Sequence, residues 1–166
     1  MHDMKLLNNL ISKHTQATFM LRTFGLLKIP LLSYVKPSVV SINNEKIIVK
    51  IPFKRRNKNH LNSMYFGALC IGADCAGGLL AMRCIEKHPE KISLIFKNVS
   101  AEFLKRAEDD AYFTCEQGNE ISSFVTTVAQ SGDRAEMPIN VTVTVPDKFG
   151  DAPVAIFNLT LSLKKK

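Results

Sequence analysis

One carboxylate, Asp74, stands near the middle of an apolar run, residues 64–85, in which the only other charge is Arg83. A carboxylate among apolar neighbours is costly unless it is paired, hydrogen-bonded or kept for chemistry. If the run is helical, its neighbours one turn away are Cys70, Ile71, Gly77 and Gly78, none of them cationic. Any partner must then come from elsewhere, and a carboxylate so placed could draw a proton from water or attack an electrophilic carbon itself. At the head of the run Ser63 is a candidate helix cap. The first-turn amides after it, which include those of Tyr65 and Phe66, would lack acceptors and could cradle an anionic oxygen. Lys54, Arg55, Arg56 and Lys58 lead into the same stretch and suit either phosphate contact or a solvated loop.

Positioning these groups is the task of the run itself. It holds no proline and is stopped by His88-Pro89; about 22 residues at ~1.5 Å rise give a helix of about 33 Å, the span of a small domain. Being apolar or small on every side, it is expected to be buried all round, with the rest of the chain wrapped on it. Gly67, Gly72, Gly77 and Gly78 each cost about 1 kcal/mol relative to Ala inside a helix, a loss that makes sense where another backbone or a ligand comes close.

The other elements follow from periodicity. Leu6, Leu7, Leu10, Ile11, Ala17, Leu21 and Phe24 recur at steps of three and four, predicting an amphipathic helix from about residue 3 to 24, capped by Asp3 and ended by Gly25. Its polar face is not strongly basic, so a membrane-surface role has little support from the helix alone. His14, beside the apolar stripe, reads as a packed histidine. Val40 and Ile42, the pair Asn43-Asn44, then Ile47, Val49, Ile51 and Phe53 read as a hairpin. Residues 92–96 and 99–103 alternate in opposite phases, predicting one long strand with a bulge. Residues 111–115 form another strand, and Ile121, Phe124, Val125, Val128 and Ala129 a short helix closed by Ser131-Gly132. Two final strands follow, residues 139–145 and 155–163, each with one apolar and one polar face. Six such strands and one long apolar helix make an α+β domain, a curved antiparallel sheet wrapped on a helix.

Composition bounds the rest. A chain of 166 residues with 46% hydrophobic content reads as a single domain, 1–166, with residues 1–30 an N-terminal helical extension. A net charge of +7 favours an anionic partner. Tryptophan is absent, which argues against a base-stacking surface and so against nucleic acid. Cys70, Cys75, Cys84 and Cys115 match no metal-ligand spacing and read as small buried hydrophobes; no metal is expected, and the setting is expected to be reducing and cytoplasmic. No signal peptide or membrane span is expected, since no run reaches the ~18 apolar residues a span requires.

The spacing around Asp74 resembles that of the hotdog-fold thioesterases, in particular the phenylacetyl-CoA thioesterase-like branch and its uncharacterised bacterial relatives. That family carries an Asn, six residues later a His-Gly-Gly at the mouth of the central helix, and an acidic residue nine beyond the His. Here Asn59 stands six before Tyr65-Phe66-Gly67, and Asp74 nine after Tyr65; Tyr65 and Phe66 replace the family's His and first Gly. The resemblance implies a hotdog fold, an edge-to-edge homodimer or tetramer, and hydrolysis of an acyl-CoA or acyl-carrier-protein thioester without a cofactor beyond the substrate's own coenzyme A. Asp74 would be the general base or nucleophile, the Phe66 and Gly67 amides the oxyanion donors, and Asn59 an orienting group. Tyr65 would border the substrate, Lys54, Arg55, Arg56 and Lys58 would meet CoA phosphates, and Gly72, Ala73, Gly77 and Gly78 would leave room for the acyl chain. Asp74 lies eight residues beyond Phe66, ~12 Å along a helix axis. One reacting carbon cannot touch both, so a site using both groups needs two subunits. The alternative is the same fold as a non-catalytic acyl-CoA or carrier-protein binding module.

Overall fold

A computed structural model describes residues 13–166. The leucines at 6, 7 and 10, Ile11 and the expected Asp3 cap lie outside them. The first helix, α1, covers Lys13–Lys28 and is followed by a short α2, Pro30–Val35. Gly25 does not end α1. A β-carbon there would lie 2.9 Å from the Ser33 amide nitrogen and 3.0 Å from Leu32 Cβ, so glycine is what lets α2 fold back tightly on α1. His14 is exposed rather than packed. The chain then reverses at Lys36, in the left-handed region at φ 58°, and enters the sheet.

Strands β1 (Ser38–Ile42) and β2 (Ile47–Ile51) form the expected hairpin, with Asn43 Oδ1 accepting from the Glu45 and Lys46 amides in its turn. A single 3-10 turn, Arg55–Asn57, leads to the long helix α3, Phe66–Ile85. After it come β3 (Ile92–Phe103), β4 (Ala111–Cys115), α4 (Gly118–Ser131), β5 (Ala135–Thr144), α5 (Pro146–Phe149) and β6 (Pro153–Lys165). All six strands join one antiparallel sheet in the order β1-β2-β4-β5-β6-β3. The phase change read between residues 96 and 99 is a register shift between Phe96 and Asn98 in the β3–β6 ladder.

The sheet curls around α3. Phe113 of β4, Ile139, Val141 and Val143 of β5, and Phe157, Leu161 and Leu163 of β6 are fully buried on the concave side with Leu80, Ala73 and Ala76 of the helix. Two of the helix glycines exist for this contact. A β-carbon at Gly72 would lie 2.3 to 2.6 Å from the Phe113 ring, and one at Gly77 would lie 2.5 Å from Ile139 Cδ1. The room expected for an acyl chain at these two glycines is therefore filled by the sheet's own side chains.

α3 is not buried all round. Phe66, Asp74 and Met82 are exposed, and Cys70 and Gly78 between them are half-buried, so a stripe at four-residue spacing runs bare along the helix. Beside it β3 is an edge strand of 12 residues with Ile95, Val99 and Phe103 exposed. By length and composition the helix could cross a membrane, with mean hydropathy 1.5, but over half of it is buried inside the fold, as befits a core helix.

Candidate active site

The helix mouth is built by a short loop that closes on itself. Asn59 Oδ1 accepts from the Leu61 amide (2.9 Å), the Ser63 amide (3.1 Å) and Ser63 Oγ (3.2 Å), and Asn59 Nδ2 lies 3.0 Å from the same hydroxyl oxygen. Asn62 sits in the left-handed region at φ 57° to complete the turn. Asn59 is thus the organiser of this loop, and one of its amide hydrogens remains for the adjoining space. Ser63 is committed to Asn59 and does not cap α3; Tyr65 occupies the cap position with extended backbone, φ −63° and ψ 136°, and no side-chain capping bond.

Of the two amides expected to be open, those of Tyr65 and Phe66, the first is used. Tyr65 N donates to Asn57 O at 2.8 Å, while Ala68 and Leu69 donate to Tyr65 O. The Phe66 and Gly67 amides find no acceptor among the described residues, as the first turn of a helix leaves them. The Tyr65 ring folds over Gly67, where a β-carbon would lie 2.6 Å from Cε1, and packs against Phe66 with centroids 4.8 Å apart. Glycine at 67 is what admits that ring.

A cleft of about 570 Å³ opens at this point, walled by the Asn59 loop, Tyr65, Phe66, Leu69 and residues 103–107. The far wall is stitched to the mouth by Met64 N donating to Ala107 O at 2.7 Å. It brings Lys105 and Arg106 to the cleft, two cations the sequence reading passed over, together with exposed Phe103 and Leu104. The available signal was a basic pair closing a strand; only the long-range Met64–Ala107 bond ties it to the helix. His60, out of register with the family's histidine, lines the same cleft.

The expected phosphate ligands are elsewhere. Lys54, Arg55 and Arg56 border a second cleft of about 490 Å³ with Tyr34. Lys58 stands over the Phe53 ring, 4.0 Å from its centroid, and donates to Asn62 Oδ1. Asp74 is not among the residues lining either of these clefts. Its side chain reaches the surface on the bare stripe of α3, with no hydrogen bond or ion pair among the described residues. Its pKa is pushed up by partial burial among apolar neighbours, with no cation to offset it. All four cysteines are free thiols, and burial pushes each pKa up, Cys75 most, where the Asp74 charge adds to the effect. Among the described residues no three potential ligands cluster as a metal site would need.

Residues 17–162 match the family described as a domain of unknown function, DUF4442, and the chain belongs to that family. No curated protein matches it in sequence. Its fold is that of the hotdog proteins. A Pseudomonas aeruginosa protein, PA5026, described as of unknown function and a probable thioesterase, is 21% identical and superposes with a TM-score of 0.72 over 90% of this chain and 96% of its own. A Chlorobaculum tepidum protein of unknown function, 14% identical, gives 0.77 over 92% and 97%. The Haemophilus influenzae thioesterase HI1161, 12% identical, gives 0.64 over 86% and 88%. At these identities the likeness concerns the fold.

Proposed function

We propose that the protein hydrolyses an acyl thioester, of coenzyme A or a carrier protein, at a site assembled from two copies of the chain. The observation that carries this reading is the Asp74 carboxylate, without a partner among the described residues, on a bare stripe of α3 beside β3, a long strand whose outer edge pairs with no other described strand. A second copy set against β3 would cover Ile95 and Val99 and bring the Asp74 of one subunit toward the helix mouth of the other. There the Phe66 and Gly67 amides receive the charge that develops on the thioester oxygen while Asp74 takes a proton from the attacking water or attacks the carbonyl itself. The raised pKa makes the carboxylate a better base than an exposed one. Lys105 and Arg106 flank this mouth and suit the anionic end of the substrate better than the more remote Lys54, Arg55 and Arg56. The likeness in fold to PA5026, a probable thioesterase, and to the thioesterase HI1161 is consistent with this chemistry.

One observation favours the non-catalytic reading: the Tyr65 ring lies over Gly67 at the helix mouth, where the family carries a histidine and a glycine at positions 65 and 66. Hydrolysis of a panel of acyl-CoAs by the wild type and Asp74→Asn separates the two. Catalysis predicts a loss of at least a hundredfold in kcat with binding retained; equal rates in the two proteins refute it, and tight binding without turnover in either assigns the binding module.

A further inference from the structure

α1 is turned inside out for a surface helix. Leu21, 3% exposed, is buried and Gly25 packs against α2, and the opposite side, which should be polar, carries Phe19, Met20, Leu26 and Leu27 at 62 to 72% exposure. α2 continues the pattern with Leu31 and Tyr34, each 57% exposed. A patch of this size and composition marks something that covers it.

Charge says what. The first 73 residues of the sequence carry eleven lysines and arginines against two acids, while the remaining 93 carry eleven against thirteen, so the whole excess of positive charge lies in the N-terminal part. Its densest cluster adjoins the apolar helices: Arg56 Nη1 donates to Tyr34 O at 3.4 Å, and Lys54, Arg55 and Tyr34 share one cleft. Between α1 and β2 the only acid is Glu45. The helix's own polar side is not strongly basic; the cations come from the neighbouring 3-10 turn, which a reading confined to the helix misses.

We infer that α1, α2 and the Lys54–Arg56 turn form a docking face for an anionic lipid bilayer, with Phe19, Leu26, Leu27 and Leu31 entering the interface and the arginines meeting headgroup phosphates. A bilayer is favoured over a protein partner because this face offers apolar side chains and cations with a single acid, Glu45, between α1 and β2, and its cleft is lined by Tyr34 and three cations with no carboxylate. The inference does not depend on the catalytic reading.

Flotation of the full chain with vesicles tests it. Phosphatidylcholine vesicles containing 30% phosphatidylserine should carry the protein up at low salt, and pure phosphatidylcholine vesicles should not. Raising salt to about 0.5 M should release it. Leu26→Asn/Leu27→Asn should abolish flotation, and Arg55→Gln/Arg56→Gln should weaken it by about thirtyfold, at roughly a tenfold or less per charge. Circular dichroism of each variant checks the fold; both pairs are solvent-exposed, so it should be unchanged. The inference is overturned by no flotation of the wild type, by equal flotation on the two lipid mixtures, or by a folded Leu26→Asn/Leu27→Asn protein that floats normally. Should that leucine variant lose self-association instead, the face belongs to a second copy and the lipid assignment fails.

Discussion

Asp74 is held at the surface of α3 by a helix that otherwise contributes apolar and small side chains, so its ionised form is less well solvated than in the unfolded chain. The folded pKa is raised, so the folded state holds this proton more tightly than the unfolded one. The stability this adds is fully present below the unfolded value of about 3.9 and is lost as pH rises through the folded value. At pH 7 the charge is therefore a net cost. Asp74→Asn should raise Tm by a few degrees at pH 7 and leave it unchanged near pH 3, while abolishing turnover; a gain in stability with a loss of activity is what a group kept for chemistry shows. The helix glycines divide in the same residue-by-residue way. Gly72→Ala places a β-carbon inside the Phe113 ring's contact distance, and an overpacking cost of about 1–3 kcal/mol outweighs a helix-propensity gain of about 1 kcal/mol. Gly78→Ala meets only Phe96, at 3.7 Å, and should keep that gain. Urea denaturation of the two variants should give shifts of opposite sign.

Among elements, the junction of β2, the 3-10 turn and β4 hangs on Asp110. Burial alone would raise its pKa, but the Phe53 amide at 2.7 Å and Lys50 Nζ at 3.0 Å outweigh it and hold the carboxyl below its ordinary value. That stability is present above pH ~3.9 and is lost as pH falls through the folded value. Asp110→Ala should cost about 1–2 kcal/mol at pH 7, with the difference from wild type shrinking under acid, measured by thermal melts across pH 2.5–7. Most elements could be read from the chain because alternation is a local signal: the β1–β2 hairpin, the phase slip that marks the β3 bulge, the apolar and polar faces of β5 and β6. α2 escaped because six residues beginning at Pro30 are too few to show a period. The site was legible as far as one helix reaches, which fixed Phe66, Gly67 and Asp74 on α3; Ser63 was misassigned because a side chain that could cap the helix is taken by Asn59. Lys105 and Arg106 could not be read, since their place depends on a hydrogen bond spanning from residue 64 to residue 107. Apolar pattern also does not say whose surface covers it. The stripe on α3 looked like core for that reason.

At the scale of the whole molecule the bare stripe and the outer edge of β3 are the surfaces the proposed dimer would cover: a strand of twelve residues lies beside an exposed row of Phe66, Asp74 and Met82. If a second copy completes the fold, each site takes its carboxylate from one subunit and its amides from the other, and the two contributions can be removed separately. Phe66 is the first residue of α3, where proline is tolerated, and Tyr65 before it already has the extended backbone that a following proline demands. Phe66→Pro therefore deletes an oxyanion amide at little cost to the helix, with Phe66→Ala as the control that loses the ring and keeps the amide. Phe66→Pro should lower kcat by about a hundred- to a thousandfold and Phe66→Ala far less. In an equal mixture of Asp74→Asn and Phe66→Pro chains, unfolded and refolded together, random pairing makes half the dimers mixed. Each mixed dimer holds one site with both defects and one with neither, so activity should return to about a quarter of wild type. Sites contained within one chain would recover nothing on mixing, and two inactive variants that stay inactive together while size-exclusion chromatography shows mixed dimers would remove the shared-site mechanism.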